Sequence, residues 1–244
     1  MKDLMINAAV KYEGSYDKVA SAIKNNENNV VRDWRGSAIT ILDKEYPSVL
    51  KQLRYPPFVL FYKGNLNLLN QSAISIIGSR QPELYGIEMT RQIVRNCNRS
   101  YVIVSGLAKG IDGIAHQEAL NSMRGTIGVI GCGIDRIYPE ENARLFQDVS
   151  RCGLILSEYP GFTPPRKHHF PFRNRLIAAL SHKCIVTAAT LKSGTMLTVN
   201  EALTLGKEVV CIPYPIGSIS GEGCNLLISQ GAGILTNTSD FAMI

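Results

Sequence analysis

A chain of 244 residues, 45% hydrophobic and 19% charged, can bury one sizeable core with at most a small addition, and its composition is that of an ordinary soluble globular protein. No run approaches the roughly 20 uninterrupted apolar residues that a bilayer span needs. The opening Met-Lys-Asp-Leu-Met-Ile-Asn also lacks a signal peptide's apolar region, so the expected location is cytoplasmic, with no membrane partner. The six cysteines (Cys97, Cys132, Cys152, Cys184, Cys211, Cys224) stand at least 13 residues apart with no C-x-x-C, which excludes zinc ribbons and dithiol redox motifs and fits a reducing compartment.

Residues 1–35 are polar, with helix-like segments over 5–10 and 16–24 and an Asn-rich break over 25–29. They are expected to form a small helical appendage with too little apolar surface to fold alone. An apolar run at 38–42 predicts a strand, Tyr55-Pro56-Pro57 breaks the chain, and 59–62 predicts a second strand. From Ala73 a regular alternation begins. Short apolar, often β-branched runs at 74–77, 101–104, 126–130, 153–156, 184–186, 208–212 and 234–235 predict strands. Helical periodicity lies between most of them, as at 85–97, 111–121, 195–205 and 225–230. Strands alternating with helices build a mostly parallel sheet covered on both faces, so residues 36–240 are expected to form one doubly wound, Rossmann-like α/β domain.

Ligands of such sheets bind beyond the carboxyl ends of the strands. Here those loops read Gly78-Ser79-Arg80, Ser105-Gly106-Leu107-Ala108-Lys109-Gly110, Gly131-Cys132-Gly133 and Lys192-Ser193-Gly194-Thr195. Glycines let the backbone approach a ligand, free N–H groups at helix starts attract phosphate, and Arg80, Lys109 and Lys192 add full charges to the same rim. Two nucleotide fingerprints fail: Arg136 stands where the dinucleotide pattern needs glycine, and Leu191 replaces the glycine before the lysine of a P-loop. Asp112 and His116, four apart at a helix start, could orient an imidazole or hold a metal, but the favoured reading is structural. Cys132 and Ser193 have no assignable base, so no catalytic residue, metal or cofactor is expected.

The charge is unevenly placed. Of a net +6, six cations (Arg166, Lys167, Arg173, Arg175, Lys183, Lys192) fall between Tyr159 and Asn200, where there is no Asp or Glu. These charges are expected in loops, drawing anions, with phosphate backbones the commonest partner. In residues 164–181 Arg and Lys interleave with Phe170, Phe172 and two histidines before an apolar helical stretch. That pattern suits a strand of nucleic acid, with charges on phosphates and aromatic faces on bases. One of the two phenylalanines is expected to pack in the core, and Asn174 to cap the helix or bond a neighbouring loop.

At these residues the chain resembles the DNA-processing protein A family (DprA, also called Smf). The resemblance runs in order from Ile39-Thr-Ile-Leu-Asp through Lys63-Gly-Asn-Leu, Ile77-Gly-Ser-Arg80 and Ser105-Gly-Leu-Ala-Lys-Gly-Ile-Asp-Gly-Ile-Ala-His116. It continues with Gly131-Cys-Gly-Ile-Asp-Arg-Ile-Tyr-Pro139, Ser157-Glu-Tyr-Pro160, Phe170-Pro-Phe-Arg-Asn-Arg175, Lys192-Ser-Gly-Thr and Gly223-Cys-Asn-Leu-Leu-Ile-Ser-Gln-Gly-Ala232. The resemblance implies an extended Rossmann fold that forms a homodimer, binds single-stranded DNA in a basic pocket and loads RecA recombinase onto it in natural transformation. It matches Arg80 to a phosphate-binding arginine after the first strand, Lys167 to a DNA-contacting lysine and Phe170 to a base-stacking aromatic. The expected interface comprises Ser79, Arg80, Gly106, Lys109, Gly110, Arg166, Lys167, Phe170, Arg173, Asn174, Arg175, Lys192, Ser193 and Gly194. Many members carry an acidic residue where Ala188 stands, so a role for that carboxylate does not carry over. The winged-helix-like C-terminal domain of some members is expected to be absent, and the N-terminal helical domain reduced. A binding and loading protein that is not an enzyme is the leading expectation. The alternatives are a nucleotide-processing, phosphoribohydrolase-like enzyme on a similar fold, and a scaffold that bridges proteins only.

Overall fold

The computed structural model describes residues 1–27 and 35–244; the end of the Asn-rich break, residues 28 and 29, lies outside them. Helices α1 (Lys2–Lys11) and α2 (Tyr16–Lys24) open the chain, and strands β1 (Ser37–Thr40) and β2 (Val59–Gly64) follow as an antiparallel pair. The α/β alternation then runs β3 (Ala73–Gly78), α3 (Leu84–Asn96), β4 (Val102–Ser105), α4 (Ile111–Asn121), β5 (Thr126–Gly133), α5 (Ala143–Cys152) and β6 (Leu154–Tyr159). It finishes with α6 (His169–Leu180), β7 (Lys183–Ala188), α7 (Gly194–Thr204), β8 (Glu208–Cys211), α8 (Glu222–Ser229) and β9 (Gly233–Ile234).

The described strands form one nine-stranded sheet in the order β1-β2-β6-β5-β4-β3-β7-β8-β9. Every pairing from β6 to β9 is parallel, and β2 joins β6 antiparallel. The doubly wound Rossmann-like class read from the sequence is the class observed. Helices α3, α4 and α5 pack as one set and α6 and α7 as another; with crossovers of the usual right hand, the reversal of strand order puts the two sets on opposite faces of the sheet. The chain order reverses between β3 and β7, so the loops after these strands diverge to opposite faces and leave a crevice.

Central strands read as continuous apolar runs because both faces are covered: Ile74, Ile76, Ile103, Ile185 and Val186 are fully buried. A second core joins Met5, Ala8, Ala9, Val19 and Ala22 of the first two helices to Val59, Phe61, Ile130, Ile155 and Val149. The turn between α1 and α2 puts Glu13 and Gly14 at φ of 49° and 72°. It seats Gly14 so closely that a Cβ there would stand 2.4 Å from the carbonyl oxygen of Glu158. Helix α5, which is not among the expected helices, forms because Leu145, Phe146 and Val149 share a face that is buried, while Arg144, Gln147 and Arg151 face water.

One expectation needs correcting. The cations of residues 164–181 do not all lie in a loop: α6 begins at His169 and carries Phe170, Phe172, Arg173, Asn174 and Arg175 within its first two turns. Pro171 does not prevent this, because a proline in the first helical turn removes no intrahelical hydrogen bond.

Candidate nucleic-acid interface

A cleft of about 540 Å³ opens at the β3/β7 crevice, lined by the loops after both strands, the start of α6 and the first turns of α7. The loop after β3 is pinned from both sides. The N–H of Ser79 donates to the carbonyl of Ala188 at 2.8 Å, and its carbonyl accepts from the N–H of Ile111 at 3.1 Å. Ser79 Oγ accepts from the N–H of Gln81 at 3.1 Å, tightening the turn that presents Arg80. Gly110, at φ 73°, closes against this loop; a Cβ there would lie 2.3 Å from the carbonyl oxygen of Ser79. No L side chain fits that position without moving Arg80.

Arg80 and Lys167 line the cleft, are exposed, and have no ion-pair partner among the described residues. The Arg80 guanidinium lies 6.0 Å from the centroid of the Phe170 ring. Phe170 faces the cleft, and Tyr138 stands beside it with ring centroids 5.6 Å apart and planes at 38°. Tyr138 is 42% exposed and was cited in the sequence only as part of a motif. The Arg and Lys residues interleaved around it point to Phe170 in the sequence; Tyr138 lies outside that basic stretch, and the fold brings it in from the loop after β5. Phe172, by contrast, turns inward, with the Arg175 guanidinium 3.7 Å from its ring centroid and Tyr16 and Tyr55 on its other sides.

Arg173 and Asn174 form the floor and are both buried. Arg173 Nη1 donates to the carbonyls of Gly106 (2.7 Å) and Val129, and its Nε donates to Asn174 Oδ1 at 3.1 Å. The opposite side of the floor is Asp112, whose Oδ2 accepts from the N–H of Gly106 at 3.1 Å. Burial drives the Asp112 carboxyl up from its ordinary value, against the pull of the Arg173 guanidinium. At the far wall Ser193 holds the position just before α7 without a side-chain capping bond, and Gly194 opens the helix. Ser193 Oγ is buried without a hydrogen-bond partner among the described residues, beside the free N–H groups of the helix start.

Six predicted residues do not line the cleft: Gly106, whose N–H is spent on Asp112, Gly110, which packs against the Ser79 carbonyl, and four cations. Arg175 is a correction: it is buried away from the cleft, its guanidinium spent on both Glu158 carboxylate oxygens (2.6 Å each) and on the carbonyls of Tyr55 and Phe172. A guanidinium held this way has no donor left for phosphate. Arg166 lies outside the cleft lining and pairs with Glu13 at 2.6 Å. Lys109 tops the Gly106–Gly110 loop and pairs with Glu141. Lys192 is exposed on the loop before α7 but does not line the cleft.

Asp112 and His116 do not act as a pair. His116 is fully buried, its Nδ1 bonds Thr126 Oγ1 at 2.7 Å, and burial pushes its pKa down to about 3. His169 stacks on Tyr159 with centroids 3.9 Å apart, and burial followed by the neighbouring His168 charge lowers it to about 4. Among the described residues no group of three or more His, Cys, Asp or Glu side chains could hold a metal ion, and no helix is long and apolar enough to cross a membrane.

Fold and site thus define an α/β protein whose switch-point cleft carries free cations and an aromatic rail over a hydrogen-bonded floor. Residues 37–243 match the model of the family described as DNA recombination-mediator protein A, and the chain belongs to that family, whose curated relatives are called DprA or Smf. DNA processing protein DprA of Streptococcus pneumoniae is 41% identical over 203 residues, covering 83% of this chain and 72% of that protein. That of Bacillus subtilis is 40% identical over 206 residues, covering 84% and 69%. The X-ray structure of the Streptococcus pneumoniae protein superposes with a TM-score of 0.83 at 34% identity, over 98% of this chain and 91% of that one. The Helicobacter pylori protein, whose structure is described for its unique single-stranded DNA binding mode, superposes with a TM-score of 0.76 at 34% identity over 85% and 94%.

Proposed function

We propose that this protein binds single-stranded DNA in the switch-point cleft and loads a RecA-type recombinase onto it, working as a cytoplasmic homodimer and not as an enzyme. The observation that carries the reading is the placement of two unpaired cations, Arg80 and Lys167, beside the outward-facing ring of Phe170 in one cleft. Cations lining one cleft hold phosphates of a strand, and the half-buried ring that faces them accepts any base on its face, so binding is tolerant of sequence. Ser79, Asn174, Ser193 and Gly194 line the cleft around them, Gly106 and Arg173 brace its floor, and Gly110 closes against the loop that presents Arg80. The homodimer is assigned to residues 200–235, where Leu203, Ile216, Ile219, Leu226 and Ile234 are exposed.

The nucleotide-hydrolase alternative needs a free carboxylate, and its two candidates are engaged: Asp112 with the Gly106 N–H, and Glu158 with Arg175. The deciding experiment is a salt titration of oligonucleotide binding. Log affinity for a single strand falls with log salt at a slope of about −0.7 per phosphate contact. Arg80→Ala and Lys167→Ala are each expected to weaken binding and flatten that slope by about 0.7. Phe170→Ala loses about 1–3 kcal/mol with the slope unchanged. Unaltered affinity and slope in both cation variants would remove the cleft from consideration. Loading is read from RecA activity on single strands coated with single-stranded-DNA-binding protein, stimulated by the wild type and not by Arg80→Ala.

A further inference from the structure

A second groove, of about 380 Å³, lies on the far side of the Gly106–Gly110 loop from the cleft, between α3, α4 and α5. Cleft and groove share this loop as a crest: Ala108 faces the cleft, Gly110 faces the groove, and Lys109 stands exposed between them. The crest is rigid, because Asn142 Nδ2 donates to the carbonyls of Leu107 and Ala108, both at 3.0 Å.

The charge inside the groove is more positive than a count suggests. Of its two acidic residues, Glu118 is taken by Arg95 through two contacts of 2.7 and 3.1 Å, and Glu141 is taken by Lys109. Its two cations come from different walls, one on α3 and one on α5. Arg91 on α3 is exposed with no ion-pair partner among the described residues. Arg144 on α5 is 97% exposed and reaches Asp148 only at 4.0 Å, while Asp148 is bound by Arg151 at 2.6 Å. Gln117 and Asn121 put amides on the floor.

We infer that this groove is a second segment of the nucleic-acid path, taking the sugar–phosphate chain of a single strand as it leaves the cleft over Lys109. The inference rests on the cleft reading above. A concave channel with cations on both walls and amides below fits a flexible polyanionic chain. A duplex is met instead by a protruding helix or ribbon that enters its grooves.

The test compares a short strand of about 6 nucleotides with a long one of about 20, within and beyond typical single-site sizes. With Arg91→Ala/Arg144→Ala, binding of the short strand is expected to be unchanged. The long strand weakens, and its salt slope flattens by about 1.4, two phosphate contacts' worth. Arg144→Glu, a charge reversal at a position too exposed to affect folding, deepens the loss on the long strand alone. Equal losses on both strands, or no loss on either, would overturn the groove as a strand path and leave it to another partner. Arg80→Ala separates the two claims: it weakens both strands if the cleft reading holds, whatever the groove does.

Discussion

Arg166 illustrates how a charge near a binding cleft can be neutralised by a distant part of the chain. Its guanidinium lies 2.6 Å from Glu13, about half exposed on both sides, so the pair is weak and a phosphate can displace the carboxylate. Glu13→Gln is therefore expected to tighten single-strand binding severalfold and steepen the salt slope by up to about 0.7. In an Arg166→Ala background the same change should do nothing, which a double-mutant cycle in oligonucleotide binding would reveal. Other cations of the acid-free stretch are also compensated. Lys183 pairs with Glu208 and Arg175 with Glu158, which sits one residue before that stretch. A window without acids is visible in a sequence, but the partners come from elsewhere in the fold. For this reason Lys167, from that window, and Arg80, from its place after β3, could be read as cations of the rim, whereas the burial of Arg175 could not. Breaking that buried pair by Glu158→Gln is expected to cost about 3–5 kcal/mol of stability, measured as a fall in the denaturant midpoint.

At the level of elements, the alternating apolar runs placed all nine strands to within a few residues, because a sheet covered on both faces leaves an unbroken β-branched signature. The start of α6 was hidden because His-His-Phe-Pro-Phe-Arg reads as punctuation. What makes it helical is tertiary: Phe172 under Arg175, His169 on Tyr159 and Arg173 on two strand-end carbonyls. The same coupling makes the loop before α4 an element that cannot be altered locally. Gly110→Ala forces a Cβ into the Ser79 carbonyl at a positive-φ position (ψ −131°) that side-chain-bearing residues rarely adopt, which costs about 1–3 kcal/mol before any clash. A lower melting temperature is expected together with weaker single-strand binding, although no charge is lost. Normal affinity in this variant would show that the Arg80 loop does not depend on the crest.

For the whole molecule, pH reports on the core. His116 has a folded pKa near 3, below its ordinary 6.5, so the folded state binds fewer protons than the unfolded chain across that interval. Its contribution is complete above pH of about 6.5 and is lost progressively on acidification towards 3. Between pH 6.5 and 5 this amounts to about 2 kcal/mol. Urea unfolding is expected to show stability rising with pH over that range, and His116→Asn to flatten the rise. The order of the strands, and hence the location of the crevice between β3 and β7, could not be read from periodicity. Each strand's signature is local, whereas the reversal that opens the cleft depends on which face each crossover takes.

The ends of the sheet have a consequence of their own. One border is β9, two residues long, and the other is β1, four residues long and held by the antiparallel pair it forms with β2. Borders this short offer few unpaired main-chain groups for another chain to zip onto. Copies of this protein that meet must therefore recognise each other through side chains on helices and loops. Such contacts can be rewritten by single substitutions without disturbing the sheet, leaving self-association free to vary independently of the cleft.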